Sequence, residues 1–286
     1  MHFPVMAEEA LKLLAVRPDG AYLDATAGLG GHTAWIARRL TTGVVLANDR
    51  DPASLEIARA NTTEWKDRIR FRYGRFGTLK EAVTEAGMEK LDGILADLGV
   101  SRYQLTEPGR GFSFMADGPL DMRMDQTTGM TAADLVNQFD EKTIADLIYQ
   151  LGEERRARRV ARAIVRARPI RSTLHLADVV LRAVPRTGRL HPATQTFMAL
   201  RMAVNDETEE LDRLLQLGPE LLRSGGRMVV ISFMSIDDRK VKEKFRELGQ
   251  QRRATILTKH PLRPNQEELV LNPASRSAKL RALEMI

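Results

Sequence analysis

The sequence predicts an α/β protein in which a parallel sheet carries an inserted, all-helical subdomain. Two observations predict the sheet: apolar, strand-like runs alternate with helical patterns over residues 21–101, and another apolar run, Met228–Phe233, follows a long interruption. Because parallel strands need helical crossovers, this alternation is typical of a parallel sheet. A third observation predicts the insert: for about a hundred residues between these regions the pattern is helical or loop-like only.

The first strand and the turn after it are the most informative stretch. An apolar strand ends at Asp24, a glycine-rich turn occupies residues 28–31, and a helix then leads to the strand Val44–Asp49. This order describes the first half of a nucleotide-binding βαβ unit. The glycines let the backbone approach a ligand where a Cβ atom would collide. Asp49, at the end of the second strand, is placed to accept hydrogen bonds from a ribose diol.

The spacing of the glycines helps to choose the ligand. A dinucleotide fingerprint has the pattern G-x-G-x-x-G, but Thr33 stands where the third glycine should be. Asp24, ahead of the turn, would repel a phosphate but could hold the ammonium group of a methionine moiety. These residues favour S-adenosylmethionine over NAD or FAD, and a turn without any ligand is the remaining alternative.

The composition narrows the chemistry. The 286 residues contain no cysteine and only 5 histidines, which excludes disulfides and thiolate metal sites and argues against zinc. No apolar run reaches the roughly 20 residues of a membrane span, and the N-terminus lacks the features of a signal peptide. A cytoplasmic protein without a metal is therefore expected. The net charge of +6 favours a polyanionic partner without identifying it.

The first half of the chain supplies the remaining parallel elements. Asp51 is predicted to cap a helix that has Pro52 at its first position and runs to about Asn61. The other predicted elements are the helices Met6–Val16, Gly31–Leu40 and Leu79–Ala86 and the strands Ile69–Tyr73 and Leu91–Ser101.

The interruption, residues 104–195, is interpreted as a helical substrate-recognition subdomain, and residues 1–103 and 196–286 as the sheet domain. A loop rich in glycine and proline runs to Asp125, and loops longer than about 12–15 residues are usually functional. A sequence typical of a capping box, Thr131–Asp134, starts the helical part. Two later helices are predicted over Glu153–Arg168 and Leu174–Val184.

The sheet is predicted to resume after the insert. Thr194–Leu217 has the periodicity of two helices or one bent helix, and Asp237–Leu248 has that of another helix. The last two strands are assigned to Ala254–Thr258 and Glu268–Leu271, which would close the sheet as an antiparallel pair. Ser275–Arg281 is interpreted as a basic tail.

With these motifs in view, the chain resembles one family over nearly its whole length: the bacterial 16S ribosomal RNA cytosine-N4 methyltransferases, known as MraW or RsmH. The matching blocks include Asp24–His32, Asp49–Pro52, Asp92–Ser101, Arg110–Phe114, Gly118–Asp125, Gly152–Arg155, His191–Thr194, Ala199–Asn205 and Arg276–Arg281. Blocks such as Gly118–Asp125 are too long for a chance match.

The resemblance implies a Rossmann-like, S-adenosylmethionine-dependent enzyme that methylates the exocyclic N4 of a cytidine in the decoding region of small-subunit ribosomal RNA. The implied partner is that RNA or the assembled small subunit, and a homodimer is compatible with the sequence. The cofactor contacts carried over by motif are Gly30, Gly31, His32, Asp49, Phe76, Asp97 and Gln104.

Cytosine N4 is a poor nucleophile because its lone pair is delocalised into the ring. A hydrogen-bond acceptor at the N4 hydrogens would localise that lone pair, and fixing the amine near the methyl group would lower the barrier further. Asp97 and Ser101, at the end of the fourth predicted strand, are the candidates for catalysis. Asp97 has a second interpretation as a cofactor contact.

Other residues have both a functional and a structural interpretation. Phe112 and Phe114 either stack on a cytosine swung out of its helix or anchor a loop. Arg123 either meets a phosphate or pairs with a neighbouring aspartate. Asn205 either contacts the target base or makes a helix–helix hydrogen bond.

The helix predicted over Glu153–Arg168 carries an arginine stripe opposite its apolar face. Its members are Arg155, Arg159, Arg162 and Arg166. The stripe either binds RNA backbone or is a solvated face, and Glu154, four residues before Arg158, indicates internal pairing of part of the charge.

The chain departs from the family pattern at a few positions near the expected RNA face. These are Arg102, Tyr103, Gln195, Met198, Met234 and Asp237. Two other functions fit part of the sequence. A DNA amino-methyltransferase would use the same chemistry, but the insert has no evident helix-turn-helix. A non-catalytic, RNA-binding ribosome-assembly factor would not need the glycine turn together with Asp49 and Asp97.

Overall fold

The computed structural model describes residues 4–186 and 190–286, and within them the chain forms 7 β-strands and 13 α-helices. The chain divides into two compact units. The sheet unit comprises the described parts of Met1–Gly99 and Glu209–Ile286, and the helical unit comprises those of Val100–Thr208. The helical unit is longer at both ends than the predicted insert, 104–195. One reason is that the helix Ala193–Val204 contributes to the apolar core of the helical unit.

The strands follow the predicted alternation closely. They are β1 (Ala21–Asp24), β2 (Val44–Asp49), β3 (Ile69–Tyr73), β4 (Leu91–Asp97), β5 (Leu222–Ser232), β6 (Ala254–Ile256) and β7 (Lys279–Met285). They form one sheet in the order β3-β2-β1-β4-β5-β7-β6. Strands β1 to β5 pair in parallel, and β7 is antiparallel to β5 and β6. The predicted parallel sheet with an antiparallel end is confirmed.

The helices are numbered in chain order. They are α1 (Ala7–Leu14), α2 (Gly31–Ala37), α3 (Pro52–Asn61), α4 (Leu79–Glu85), α5 (Arg102–Thr106), α6 (Ala132–Gln138), α7 (Glu141–Gly152), α8 (Ala157–Arg166), α9 (Thr173–Ala183), α10 (Ala193–Val204), α11 (Glu207–Leu221), α12 (Ser235–Gln250) and α13 (Gln266–Leu271). Alternate residues of the central strands enter two different apolar clusters, one with α1 and α2 and one with α4, α11 and α12. Helices therefore cover both faces of the sheet.

The prediction for the C-terminal strands is half wrong. Glu268–Leu271 belongs to helix α13, which Asn265 caps by accepting a hydrogen bond from the Glu268 amide at 2.8 Å. The last strand is instead β7, within and beyond the predicted basic tail. Its apolar residues are buried, and Arg281 pairs with Asp238 at 2.6 Å. Charged residues that alternate with the apolar ones concealed this strand from the sequence analysis.

The helical unit has its own apolar core, formed by side chains from α6 to α10 and from the loop before α6. The predicted capping box at the start of α6 is present: Thr131 accepts from the Asp134 amide, and Asp134 accepts from the Thr131 amide, both at 3.0 Å. The predicted loop up to Asp125 contains the short helix α5 and a 3-10 turn, Pro108–Arg110, and is irregular between Gly111 and Asp125. The periodic stretch Thr194–Leu217 is divided between two helices, α10 and α11.

Candidate active site

The turn between β1 and α2 has a backbone that favours glycine. Gly28 and Gly30 adopt left-handed conformations with φ of +51° and +87°. A Cβ atom on Gly30 would also lie 2.8 Å from Cγ2 of Thr62 and 3.2 Å from backbone atoms of Ala58. The turn can therefore pack directly against α3 only when position 30 lacks a side chain.

Asp24 organises this turn from inside. Its carboxylate is fully buried and accepts hydrogen bonds from the Thr26 amide at 3.2 Å and from Oγ1 of Thr33 at 2.6 Å. Burial raises the pKa of Asp24, although the nearby His32 and both hydrogen bonds oppose the rise. The structure thus gives Asp24 a structural position in the turn, and its expected contact with a ligand ammonium group stays a prediction.

Asp49 ends β2 beside the turn and is partly exposed. One carboxylate oxygen accepts from the Gly28 amide at 2.7 Å, and the other accepts from the Asp51 amide at 2.9 Å. Burial raises the pKa of Asp49 to about 6 in spite of these two bonds. Each carboxylate oxygen has more than one acceptor direction, so Asp49 can accept further hydrogen bonds from a diol.

His32 and Asp97 lie side by side at the ends of α2 and β4. Nε2 of His32 is 3.5 Å from Oδ2 of Asp97. Within the described residues, both ring nitrogens of His32 and Oδ1 of Asp97 are buried and make no hydrogen bond. Burial by itself lowers the pKa of His32, but the carboxylates of Asp97 and Asp24 raise it above the usual value. The Asp97 amide is held by Oγ1 of Thr26 at 2.7 Å.

Phe76, the expected adenine contact, follows β3 at the start of a short 3-10 turn, Phe76–Thr78. Its ring is half-buried against the apolar cluster that includes α4 and α11. Phe76, Asp49 and Asp97 thus all follow or end parallel strands, at the carboxyl edge of the sheet where ligands of open α/β folds bind.

The residues of the sheet unit fit a cationic nucleoside ligand. Buried polar groups are normally hydrogen-bonded, so the unsatisfied atoms of His32 and Asp97 indicate a place for an additional polar partner. Carboxylates at Asp49 and Asp97 disfavour a phosphate and favour a diol and a positive charge. Sequence analysis did not single out Thr26 and Thr33, whose hydroxyls fix Asp97 and Asp24. Their position two and nine residues after Asp24 gave no distinguishing signal.

In the helical unit, Ser101 and Gln104 form a capping box at the start of α5. Oγ of Ser101 accepts from the Gln104 amide at 3.2 Å, and Oε1 of Gln104 accepts from the Ser101 amide at 2.9 Å. Gln104 is buried. These two residues therefore have a structural role in α5, which leaves the Ser101 hydroxyl one further lone pair that can accept and one hydrogen that can be donated.

The two expected stacking residues differ in their surroundings. Phe112 is 6% exposed and belongs to the core of the helical unit. Its position agrees with the interpretation as a loop anchor and offers no face to a base in this conformation. Phe114 is only half-buried, and its ring lies 4.8 Å from that of His191 and 4.9 Å from that of Phe197.

Arg123 and Asn205 also take their structural interpretations. Arg123 forms a two-point ion pair with Asp121, with both nitrogen–oxygen distances at 2.9 Å. Asn205 is buried; its amide donates to the Met122 carbonyl at 2.7 Å and accepts from the Met124 amide at 2.8 Å. These two bonds join the end of α10 to the loop before α6, whereas the structural alternative given above was a bond between helices.

The described residues give no indication of a metal centre or of a membrane-spanning helix. Between 4 and 186 and between 190 and 286, no three His, Cys, Asp or Glu side chains are grouped so that they could hold a metal ion. In the same ranges, the helices are too short or too polar to cross a bilayer.

The fold and the site define a Rossmann-like, S-adenosylmethionine-dependent methyltransferase. Comparison with known proteins narrows this class. A model of the MraW methylase family matches residues 1–286, and the chain belongs to that family. It is 77% identical over 285 residues to "Ribosomal RNA small subunit methyltransferase H" of Solibacter usitatus (strain Ellin6076), covering 100% of both chains.

Two further relatives carry the same name. The protein of Acidobacterium capsulatum is 50% identical, with 99% of this chain and 98% of the relative covered. That of Cyanothece sp. (strain PCC 7425 / ATCC 29141) is 47% identical, with 100% and 95% covered. The resemblance noted from the sequence motifs is confirmed at the level of the family.

Proposed function

We propose that this chain transfers the methyl group of S-adenosylmethionine to the exocyclic N4 of a cytidine in the decoding region of small-subunit ribosomal RNA, in the cytoplasm. The observation that carries the proposal is the 77% identity, from end to end, with a protein named for methylating that RNA. The choice of N4 and of the decoding region rests on the motif blocks. The net charge of +6 is consistent with a polyanionic substrate.

S-adenosylmethionine, the methyl donor, is assigned to the sheet unit. Gly30 and Gly31 would let the backbone approach it, Asp49 would accept hydrogen bonds from its ribose diol, and Phe76 would contact its adenine. His32 and Asp97 border the same turn and would supply the partners for its polar end. S-adenosylmethionine, when bound, supplies a methyl group on a positively charged sulfur.

The reaction requires alignment more than acid–base chemistry. Cytosine N4 displaces the sulfur from the methyl carbon, so one C–N bond forms as one C–S bond breaks, and N4 then loses a proton to an acceptor. An acceptor for the N4 hydrogens localises the nitrogen lone pair along the line of attack. Asp97 and Ser101 are our candidates for this contact, with Asp97 also assigned to the donor.

Contacts with the RNA are assigned to the helical unit. Phe114 is our candidate for stacking, because its ring is half-buried and neighbours another aromatic ring, His191. Phe112, Arg123 and Asn205 are supported only as structural residues by their burial and bonding. Gln104 stays a predicted donor contact that is carried over from the family motif, and its described bonds support a role in capping α5.

The proposal is tested by methylation of small subunits isolated from a strain that lacks this gene. Purified protein and labelled S-adenosylmethionine are added, and the modified base is mapped by mass spectrometry. The expected product is one N4-methylated cytidine in the decoding region; modification of another base, or of DNA only, would contradict the proposal. Naked RNA in parallel identifies the substrate form, and sedimentation of the enzyme reports whether it is a homodimer.

The non-catalytic alternative is tested separately by calorimetry. An enzyme of this class binds S-adenosylmethionine at one site in the absence of RNA. A chain that binds ribosomal RNA but neither S-adenosylmethionine nor its demethylated product would be an assembly factor that kept the fold.

A further inference from the structure

Helix α8 presents an arginine face on the surface of the helical unit. Its apolar residues Val160, Ala161 and Ile164 are fully buried in the core. The opposite side carries only exposed arginines, and no acidic residue occurs between positions 155 and 166. We define the arginine face as Arg155, Arg158, Arg159, Arg162 and Arg166.

The charge of this face is largely uncompensated within the chain. The expected pairing of Glu154 with Arg158 is absent from the described contacts. Glu154 is 8% exposed, and its carboxylate accepts from the Arg156 amide at 2.7 Å. The ion pair described for the arginine face joins Arg162 to Glu141 at 3.3 Å, between side chains that are 60% and 42% exposed. Exposed pairs of this kind contribute little.

Two neighbouring arginines that lie outside the arginine face have a structural role, because they bond to backbone carbonyls. Arg156 donates to the Pro185 carbonyl at 3.3 Å, and Arg168 donates to the carbonyls of Val136 and Phe139. Both side chains are partly buried. The residues of the arginine face make no comparable bond to a carbonyl among those described, so structural support of the fold does not account for four arginines on one side of α8 and Arg155 just before it.

The geometry of the arginine face suits a phosphate backbone. At 100° per residue, Arg158, Arg159, Arg162 and Arg166 fall within about a third of the helix circumference, and Arg155 lies in the turn just before α8. Arg159 and Arg166 are two turns apart, or roughly 10 Å along the axis, which corresponds to about three nucleotides of a regular strand at 3.4 Å each. The planar guanidinium groups match the geometry of phosphate oxygens.

A membrane surface is a less favoured binding partner for the arginine face than an RNA backbone. Basic helices that lie on membranes insert their apolar face between lipid headgroups. The apolar face of α8 is instead packed in the core of the helical unit, and its outer side is wholly polar.

We propose that the arginine face of α8 binds the phosphate backbone of the RNA substrate, a surface that carries affinity and not base selection. The inference rests on the proposed function, because it takes small-subunit ribosomal RNA as the polyanion. It assigns to α8 a contact that is separate from donor binding in the sheet unit.

The experiment compares two double variants of the full chain, Arg159→Gln/Arg166→Gln and the control Arg171→Gln/Arg182→Gln. All four arginines are exposed and lie in the helical unit, so both variants lose the same charge. The probe is transcribed small-subunit ribosomal RNA, bound at several KCl concentrations. We expect the α8 variant to bind on the order of 10-fold more weakly, with a salt slope smaller by about 1.5, since each lost phosphate contact removes roughly 0.7–0.9.

The control variant should change affinity by less than about 3-fold, as expected for loss of net charge alone. The variant Arg159→Lys/Arg166→Lys should retain most of the wild-type affinity, because lysine keeps the charge. Binding of each variant to phosphatidylglycerol vesicles is measured in parallel. Equal losses of RNA affinity in both double variants, unchanged RNA affinity in the α8 variant, or a loss seen only with the vesicles would overturn the proposal.

The methylation assay tests the proposed function separately from the binding comparison. If the wild-type chain does not methylate small subunits, the proposed function fails, and the binding comparison still decides the role of the arginine face. Calorimetric binding of S-adenosylmethionine to both double variants verifies that the sheet unit is folded.

Discussion

Nε2 of His32 lies 3.5 Å from Oδ2 of Asp97 in the sheet unit, and both side chains border the glycine turn. Burial opposes a charge on His32, but the carboxylates of Asp97 and Asp24 outweigh burial and raise its pKa. A cationic ligand in this place would oppose the imidazolium, because like charges disfavour each other at short range. Donor binding and the protonation of His32 are therefore expected to be linked.

We predict that binding of S-adenosylmethionine releases a proton from His32, because the sulfonium lowers the raised pKa of the imidazole. S-adenosylhomocysteine, whose sulfur is neutral, should release fewer protons. The measurement is calorimetry in buffers with different ionisation enthalpies. His32→Asn should abolish the difference between the two ligands; equal proton release by both ligands in the wild-type protein would exclude the linkage.

The need for glycine at position 30 is tested by Gly30→Ala with Gly129→Ala as its control. Both glycines have strongly positive φ, +87° and +82°, but an added Cβ at 129 meets nothing within 4 Å. Backbone strain of about 1 kcal/mol is common to both substitutions. Gly30→Ala should cost about 1–3 kcal/mol more because the Cβ overpacks against α3, and it should weaken donor binding. Urea unfolding and donor titration measure the two effects, and similar losses in the two variants would contradict the expectation.

The parallel part of the fold could be predicted because its signals are local. Strands β1 and β2, the glycine turn and the cap at Asp51 each occupy a short contiguous stretch. The C-terminal strand could not, because Arg281 in β7 is buried only through its partner Asp238 on α12. In α13, the side chain of Asn265 caps a helix where apolar residues had indicated a strand.

The same distinction between local signals and tertiary contacts applies to the residues of the site. Asp49 and Asp97 were predictable because polar residues at the ends of parallel strands meet at one edge of the sheet. Asp24 is bonded by Thr26 and Thr33 of its own turn, whereas the roles of Phe112 and Asn205 depend on what buries them, and their partners come from other parts of the chain. Sequence analysis left the last two open between function and structure, and only tertiary contacts could decide.

A substitution that tests the catalytic role of Ser101 needs a control, because the same hydroxyl caps α5. Ser101→Ala removes the hydroxyl that caps α5 and should cost about 1 kcal/mol of stability. Thr131→Ala removes the equivalent cap of α6, in the same unit, and should cost a similar amount. If Ser101 also positions cytosine N4, Ser101→Ala lowers turnover on small subunits by at least about 10-fold more than Thr131→Ala, a difference of about 1.4 kcal/mol in barrier. Donor affinity should be similar in both.

Asp97→Asn tests the other catalytic candidate. The substitution keeps the shape of the side chain but removes the charge and one acceptor. We expect turnover to fall more than donor affinity, because the carboxylate is assigned to the amine as well as to the donor. Rapid-quench methylation and donor calorimetry separate these two quantities. A variant that loses donor affinity but methylates at the wild-type rate under saturating donor would restrict Asp97 to donor binding.

The raised pKa of Asp49 determines the direction in which the free energy of unfolding changes with pH. Burial raises its pKa from 3.8 to about 6, so the folded protein retains a proton that the unfolded chain releases between those values. The contribution of Asp49 to stability is therefore present at pH 4 and is lost as pH rises through about 6. Relative to wild type, Asp49→Asn should gain on the order of 1–3 kcal/mol between pH 4 and pH 7, in addition to a constant loss from its altered hydrogen bonds.

Asp121→Asn is the control for this pH window. Burial raises the pKa of Asp121, but its bonds with Arg123 outweigh burial and lower the pKa below 3.8. The stability that Asp121 contributes is thus fully present above pH 4 and is lost only at lower pH. Urea unfolding at pH 4, 5.5 and 7 should show a rising difference for Asp49→Asn and a flat one for Asp121→Asn. A flat difference for Asp49→Asn would mean that its carboxylate titrates near the ordinary value.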